Sequence, residues 1–151
     1  MIPPGTVPSI RGPVGGPTTI LARAETTGGA FTFLENVIPP LQGPPLHVHG
    51  REDEMWYVLE GDFRFRADDR MLEAPTGSFV FVPRGTRHAF QNVGDAPARI
   101  LVMFAPAGME RFFEGIAALP EGPVESATYR AIAHDQAMEV AGPPLAESDP
   151  V

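Results

Sequence analysis

The chain has 151 residues, a formal net charge of −8 and no cysteine. The length fits one domain with a sizeable core, and the missing cysteines exclude disulfide bonds and thiolate metal ligands. An acidic chain without any run of basic residues is a poor partner for nucleic acid. No apolar run is long enough to cross a bilayer and no signal peptide is evident, so we expect a cytoplasmic protein without a membrane partner.

Turn residues divide most of the chain into short strand-like segments. Residues 1–17 are rich in Pro and Gly and have no periodic pattern, which predicts a flexible arm. From residue 18 onward, apolar segments alternate with turns and predict strands at 19–24, 30–37, 55–59, 63–66, 79–82, 88–92 and 99–104. The run Thr26-Thr27-Gly28-Gly29 is the first predicted turn. Many short strands at close spacing favour an all-β sandwich or barrel over residues 18–107.

The spacing of apolar residues becomes helical after the strands, at Met109, Phe112, Phe113, Ile116 and Leu119. Pro120 ends this predicted helix, and a second helix is expected from near Pro123 to beyond Ile132. We therefore predict a helical extension over 108–142, packed on the barrel, and a disordered tail over 143–151. The first helix is expected to cover a sheet face rather than to cap the mouth of the barrel.

Three histidines and one glutamate have the spacing of a metal site. His47 and His49 are two residues apart, so on a strand both side chains point to the same face. The polar run that follows them would turn the chain, so that Glu54 begins the next strand and faces back. His88 arrives on a third strand after the turn Pro83-Arg84-Gly85, in which Pro fixes the entry dihedral and Gly allows a positive φ.

These four side chains form a nitrogen and oxygen ligand set that suits Fe, Mn, Co, Ni or Zn as a divalent ion. We predict one such ion per chain, bound by His47, His49, Glu54 and His88, with positions left for water, substrate or dioxygen. A lone His-x-His pair often arises by chance, and the second string after a defined turn is what favours a metal here. The remaining histidine, His134, lies in a polar helical stretch and is expected on the surface.

At these residues the chain resembles the cupin superfamily. The second cupin motif is matched throughout, by Gly77, Pro83, Gly85, His88 and Asn92. The first motif is matched by His47, His49, Glu54 and Gly61, but Leu41 stands where the family has its leading Gly. That departure affects a turn rather than a ligand. The resemblance covers about residues 18–107 and implies a small jelly-roll β-barrel, often a homodimer. We therefore expect a homodimer, with the amino-terminal arm or the first strand contributing to the interface.

A narrower resemblance is to bacterial single-domain cupins that are similar to quercetin dioxygenases. It rests on Pro44-Pro45-Leu46-His47, Arg51-Glu52, Tyr57-Val58-Leu59-Glu60-Gly61, Pro83-Arg84-Gly85-Thr86, Phe112-Phe113 and Val140-Ala141-Gly142-Pro143-Pro144. The match supports fold and metal binding far more than it supports a substrate.

Strand alternation predicts which aromatic side chains share the interior with the metal. If Glu54 faces inward, so do Trp56 and Val58, and Phe90 accompanies His88. Two further side chains of the predicted pocket, Phe63 and Phe65, share a face, which would leave Arg64 and Arg66 outside. An arginine turned inward could instead pair with a substrate carboxylate. Aromatic residues in barrels are also common as plain core, so both interpretations stay open.

Three functions are compatible with this pattern. The first is a dioxygenase that acts on a small aromatic or enol-containing, flavonol-like substrate, with Glu54 as both ligand and catalytic base. The second is a redox-neutral isomerase, cyclase, decarboxylase or lyase that uses the metal only as a Lewis acid. The third is a non-catalytic module that binds a small molecule. The first two require the same four ligands, so the sequence does not separate them.

Overall fold

The computed structural model describes all 151 residues and contains eleven strands and four helices. The strands are β1 (Ile10–Arg11), β2 (Pro17–Ala22), β3 (Thr32–Ile38), β4 (Pro45–His49), β5 (Asp53–Glu60), β6 (Asp62–Ala67), β7 (Arg70–Pro75), β8 (Phe79–Val82), β9 (His88–Asn92), β10 (Ala98–Ala105) and β11 (Met138–Pro144). The helices are α1 (Ala24–Thr27), α2 (Glu110–Ala117), α3 (Ser126–Asp135) and α4 (Leu145–Ser148).

Two antiparallel sheets face each other and form a jelly roll. One sheet has the order β1-β2-β3-β10-β5-β8, and the other has the order β11-β4-β9-β6-β7. Alternate residues of both sheets point into the space between them, as in other sheet-on-sheet packings. The predicted all-β class with a barrel is confirmed, and the predicted strands coincide with β2, β3, β5, β6, β8, β9 and β10.

The inner faces of the sheets carry the side chains that alternation predicts. Trp56, Val58, Phe63 and Phe65 are at most 1% exposed. Arg64 and Arg66 point outward, where Arg64 Nε donates to Gln91 and Arg66 Nε donates to the carbonyl group of Asp68. The preference for phenylalanines inside and arginines outside is therefore confirmed.

Part of the predicted flexible arm is ordered. β1 pairs with β2, and the Arg11 guanidinium donates to the carbonyl groups of Ile116, Leu119 and Pro120 at the end of α2. The last carbonyl groups of a helix lack the partners that a continuing helix would supply, so a cation at a helix C-terminus is favourable. Strand pairing and these hydrogen bonds therefore hold residues 10–11 of the segment that was predicted as a flexible arm.

The carboxyl-terminal region also differs from its prediction. The helical extension ends at Asp135, and β11 then pairs with β4, with Met138 opposite His49 and Val140 opposite His47. Without β11, β4 would be an exposed sheet edge. The predicted disordered tail contains α4, whose Leu145 is 1% exposed. None of the four helices has the length and apolar character that a membrane-spanning helix needs.

Candidate metal centre

The four predicted ligands converge between the sheets. His47 and His49 lie on β4 and His88 lies on the neighbouring β9, whereas Glu54 comes from β5 in the opposite sheet. All four are at most 6% exposed, and one ligand atom from each lies within 4.8 Å of the others. The chain crosses from one sheet to the other between β4 and β5, which is why Glu54 faces back as predicted.

The turn before β9 fixes the position of His88. Gly85 has a φ of +84°, a left-handed conformation that favours glycine. Its amide donates to the His49 carbonyl group over 2.8 Å, which ties the turn to β4. The position of the second motif's turn relative to the first motif's strand is thus set by a backbone hydrogen bond.

Hydrogen bonds to the backbone orient two of the rings. His47 Nδ1 donates to the Pro45 carbonyl group over 2.8 Å, and His88 Nδ1 donates to that of Thr86 over 2.9 Å. With Nδ1 occupied, Nε2 is the nitrogen that each ring presents to the centre. Glu54 Oε2 lies 2.8 Å from His88 Nε2, 2.9 Å from His49 Nε2 and 4.0 Å from His47 Nε2.

The electrostatics of the centre are those of a carboxylate among imidazoles. Burial opposes ionisation of Glu54, but His49 and His88 outweigh it and bring the pKa of Glu54 to about 2. Burial, together with the neighbouring His88 and His49, holds the pKa of His47 well below its usual value. Burial also acts to lower the pKa of His88, but the hydrogen bond to Glu54 outweighs it and the pKa is raised. The centre therefore favours an ionised Glu54, and this carboxylate in turn favours the protonated form of His88.

The donor set fits a divalent transition metal. His49 Nδ1 is buried without a hydrogen-bond partner, and His49 Nε2, although 2.9 Å from Glu54 Oε2, is not aligned for a hydrogen bond to it, which is costly unless a ligand completes the site. Neutral imidazole and carboxylate are preferred ligands of the ions predicted above, and none of the four donors is a thiolate. The residues that would hold such an ion are His47, His49, Glu54 and His88.

Glu52 is a residue of this centre that sequence analysis did not identify. It is fully buried, and its Oε2 lies 3.8 Å from His49 Nδ1, on the side of the ring away from Glu54. Arg51 Nε donates to the other oxygen, Oε1, over 2.6 Å. Because Glu52 stands in the polar run Gly50-Arg51-Glu52-Asp53, its type and position resemble those of a solvated turn residue, and only its burial distinguishes it.

A cavity opens onto the centre and has a mainly apolar wall. His47, His49 and Glu54 line it, together with Phe90 of the predicted pocket. The other four residues predicted for the pocket, Trp56, Val58, Phe63 and Phe65, do not line it. They pack below the centre as core, and the Trp56 ring lies 5.5 Å from that of His88.

Much of the cavity wall comes from outside the barrel strands. Pro13 and Val14 of the arm, Phe112 and Phe113 of α2, and Tyr129 of α3 all line it. The expectation that α2 covers a sheet face was wrong, since its aromatic residues close the mouth above the metal centre. The space open to the centre of a water molecule is about 40 Å³. That volume holds only a few waters, so it is smaller than a ring-shaped ligand.

The remaining histidine is on the surface, as predicted. The His134 side chain is 73% exposed and pairs with Glu139, which is itself exposed. The Asn of the second motif has a structural role: Asn92 Nδ2 donates to the carbonyl groups of Ile38 and Ala96, and this holds the loop before β4 against β9.

Comparison with known proteins identifies the part of the chain that is similar to a protein family. The family model described as Cupin domain matches residues 35–104, which include all four candidate ligands. The tetracenomycin polyketide synthase protein TcmJ of Streptomyces glaucescens is 29% identical over 93 residues, covering 61% of this chain and 62% of the relative. Protein SchB of Streptomyces halstedii is 31% identical over 93 residues, covering 61% of this chain and 67% of the relative. The chain thus spans about three fifths to two thirds of the length of these curated relatives.

Solved structures support the fold. A protein of Thermotoga maritima described as a predicted oxalate decarboxylase has a TM-score of 0.63 at 21% identity, covering 70% of this chain and 98% of that one. A protein of Silicibacter pomeroyi described as a sugar phosphate isomerase from a cupin superfamily has a TM-score of 0.60 at 23% identity, covering 70% and 74%. The named proteins do not distinguish a dioxygenase from a redox-neutral enzyme.

Proposed function

We propose that this chain, which belongs to the cupin family, is a metal-dependent enzyme that acts on a small molecule with an enol or phenol group. The observation that carries the proposal is the convergence of three imidazoles and one carboxylate at the base of an apolar cavity. In a structural metal site the protein fills every coordination position, so access from a cavity is not needed. A catalytic metal needs an open coordination position that a ligand can reach.

Glu54 is the only carboxylate that lines the cavity, so we propose it as the proton acceptor as well as a ligand. A divalent ion held there would lower the pKa of a coordinated hydroxyl group and, if redox-active, would allow chemistry with dioxygen. The low pKa of Glu54 keeps it ionised at neutral pH, and Oε2 is the oxygen that faces His49 and His88. The phenylalanines of α2 and β9 exclude bulk water, which strengthens the interaction between charges in the site.

The reaction that we propose first is dioxygenation of an aromatic or enol substrate. A redox-neutral reaction, such as an isomerisation or cyclisation, is the second candidate. Two observations favour it: relatives include polyketide synthase proteins, and a structural neighbour is described as a sugar phosphate isomerase. Oxygen uptake during turnover of flavonols and other enediols would establish the first reaction, and turnover without oxygen would establish the second. A full complement of metal without turnover of any candidate would favour a binding module.

Elemental analysis tests the metal centre directly. The protein purified without chelator is expected to contain one equivalent of a divalent transition metal, and His88→Ala is expected to lose it. His134→Ala is the matched control, since His134 is exposed and is not one of the four converging side chains. A full equivalent of metal in His88→Ala would refute the site.

We also propose that the chain forms a homodimer through the outer face of the six-stranded sheet. Outward side chains on four adjacent strands are apolar and in register, namely Phe33, Leu101, Met103, Met55, Tyr57, Phe79 and Phe81. Tyr57, Phe79 and Phe81 are 45–65% exposed, which is unusual for large aromatic residues of a monomer. Ion pairs flank this face, with Arg99 and Glu35 at one end and Arg84 and Asp53 at the other. An apolar centre with a polar rim is the anatomy of a protein interface.

We propose a second copy of the chain as the partner, because a two-fold axis brings the same apolar patch of two copies into contact and buries both. The sequence alone assigned the interface to the arm or first strand. β1 and β2 lie at the opposite edge of the sheet from β8, and the arm packs on its own barrel. Light scattering is expected to give the mass of a dimer, and Phe79→Glu is expected to give a monomer. If Phe79→Glu remained a dimer and deletion of residues 1–24 gave a monomer, the arm rather than the sheet face would form the interface.

A further inference from the structure

Two side chains interrupt the apolar wall of the cavity beyond the metal ligands. Asn36 lies on β3 and Tyr129 lies on α3, and every other lining residue outside the ligand set is apolar or proline. Polar groups in a largely apolar cavity cost free energy unless a partner satisfies them. What each of the two offers to a ligand follows from its own contacts.

The Asn36 amide is held by a buried neighbour. Thr18 Oγ1 donates to Asn36 Oδ1 over 2.5 Å, and both residues are at most 6% exposed. This bond engages the amide oxygen and fixes the plane of the side chain. The Nδ2 group has no hydrogen-bond partner in the chain, so Asn36 offers a preoriented donor to the cavity.

The Tyr129 hydroxyl is likewise without a partner in the chain. The Phe112 ring packs edge-on against the Tyr129 ring at 5.4 Å between centroids, which fixes the ring. Burial, and then the charge of Glu54, raise the pKa of Tyr129. The hydroxyl therefore stays protonated at neutral pH and can donate a hydrogen bond.

We propose that Asn36 and Tyr129 form a second polar end of the substrate site, which selects ring compounds that carry an acceptor oxygen besides the enol or phenol oxygen at the metal centre. The Tyr129 hydroxyl can donate and the Asn36 amide nitrogen can only donate, so the ligand atom that matches both is an acceptor such as a carbonyl or ether oxygen. This inference rests on the proposed function, because it assumes that the ligand's first oxygen is directed at the metal.

Tyr129 lies outside residues 35–104, the part of the chain matched by the family model. The metal ligands come from the shared barrel, whereas this donor comes from the extension that closes the mouth.

Two phenols of nearly equal shape test the proposal. The probes are 4-hydroxyacetophenone, which carries a carbonyl oxygen remote from the phenol, and 4-ethylphenol, which lacks it. Their dissociation constants would be measured by calorimetry on the zinc-loaded full chain, so that the readout is binding and not turnover. We expect 4-hydroxyacetophenone to bind about 3- to 10-fold more tightly, the ratio expected of one or two neutral hydrogen bonds.

Tyr129→Phe is expected to reduce this preference, and Tyr57→Phe is the matched control. The chain has only these two tyrosines, and Tyr57 lies on the outer face of the sheet. Asn36→Asp keeps an oxygen for Thr18 but removes the donor, and it is expected to abolish or invert the preference.

The second polar end would be refuted if the wild type bound the two probes equally or bound neither of them. It would also be refuted if the ratio of the two dissociation constants were unchanged in both Tyr129→Phe and Asn36→Asp. In that case Asn36 and Tyr129 would serve only to hold water. Such a result would leave the metal stoichiometry of the His88→Ala experiment untouched, so failure of this inference is distinguishable from failure of the proposed function.

Discussion

Glu52 and His49 face each other inside the barrel, with Glu52 Oε2 3.8 Å from His49 Nδ1. Neither atom has a hydrogen-bond partner, and both side chains are at most 2% exposed. A small rotation of either side chain would form the bond, while Arg51 holds the other carboxylate oxygen. Metal-ligating histidines commonly donate their second ring N–H to a carboxylate, which orients the ring and raises its basicity.

Glu52→Gln is therefore expected to weaken metal binding by about 10-fold or more, the usual effect of losing such a partner. Competition with a chromophoric chelator would measure the dissociation constant. Asp53→Asn is the control, because Asp53 pairs with Arg84 outside the barrel. Equal affinities of Glu52→Gln and the wild type would show that Glu52 does not position His49.

Arg11→Met is expected to lower the free energy of unfolding by about 1–2 kcal/mol. The methionine keeps an apolar side chain but loses the hydrogen bonds to the Ile116, Leu119 and Pro120 carbonyl groups. Urea denaturation checks the prediction. Arg66→Met is expected to change stability much less, since the Arg66 side chain donates only to the nearby carbonyl group of Asp68.

Leu41→Gly is expected to stabilise the chain by about 0.5 kcal/mol. Leu41 occupies the position of the missing motif glycine and has a φ of +61°, which costs a side-chain-bearing residue about 1–2 kcal/mol. The greater flexibility of glycine in the unfolded chain offsets part of that gain, and Leu41 is 47% exposed and buries little surface. Leu41→Ala keeps the strained conformation, so a thermal or urea comparison in which alanine stabilises as much as glycine would contradict the argument.

Glu110 is expected to make the free energy of unfolding depend on pH in the acidic range. Burial acts to raise the pKa of Glu110, but hydrogen bonds from the Thr32 hydroxyl and the amides of Ala24 and Gly108 outweigh it, and the pKa is lowered. A lowered pKa in the folded state adds stability above the ordinary carboxyl pKa of about 4.3, and this stability is lost as the pH falls through the folded-state pKa.

Glu110→Gln is accordingly expected to be less stable at neutral pH and to lose less of its remaining stability on acidification. Unfolding by urea from pH 7 downward, with a chelator present, would compare the two proteins. Glu121→Gln serves as the control, because Glu121 is exposed and its side chain makes no hydrogen bond. Parallel pH profiles of Glu110→Gln and the wild type would contradict the prediction.

The sequence by itself determined the candidate ligand set and most of the barrel strands. The spacing of His47, His49 and Glu54, and the turn before His88, are local patterns, and the period of two in a strand decides which side chains share a face. The same period placed Phe63 and Phe65 inside and Arg64 and Arg66 outside.

Only the tertiary structure decided how deep each inward side chain lies. Alternation gives the face of a strand but not its height in the barrel, so it could not separate Phe90, at the cavity, from Trp56 and Phe65, in the core below. The burial of Glu52 and the cavity wall formed by Val14, Phe112 and Tyr129 depend on contacts between segments far apart in the chain. Such contacts leave no periodic signal, because they are selected by shape and by unsatisfied backbone groups that exist only once the barrel has formed.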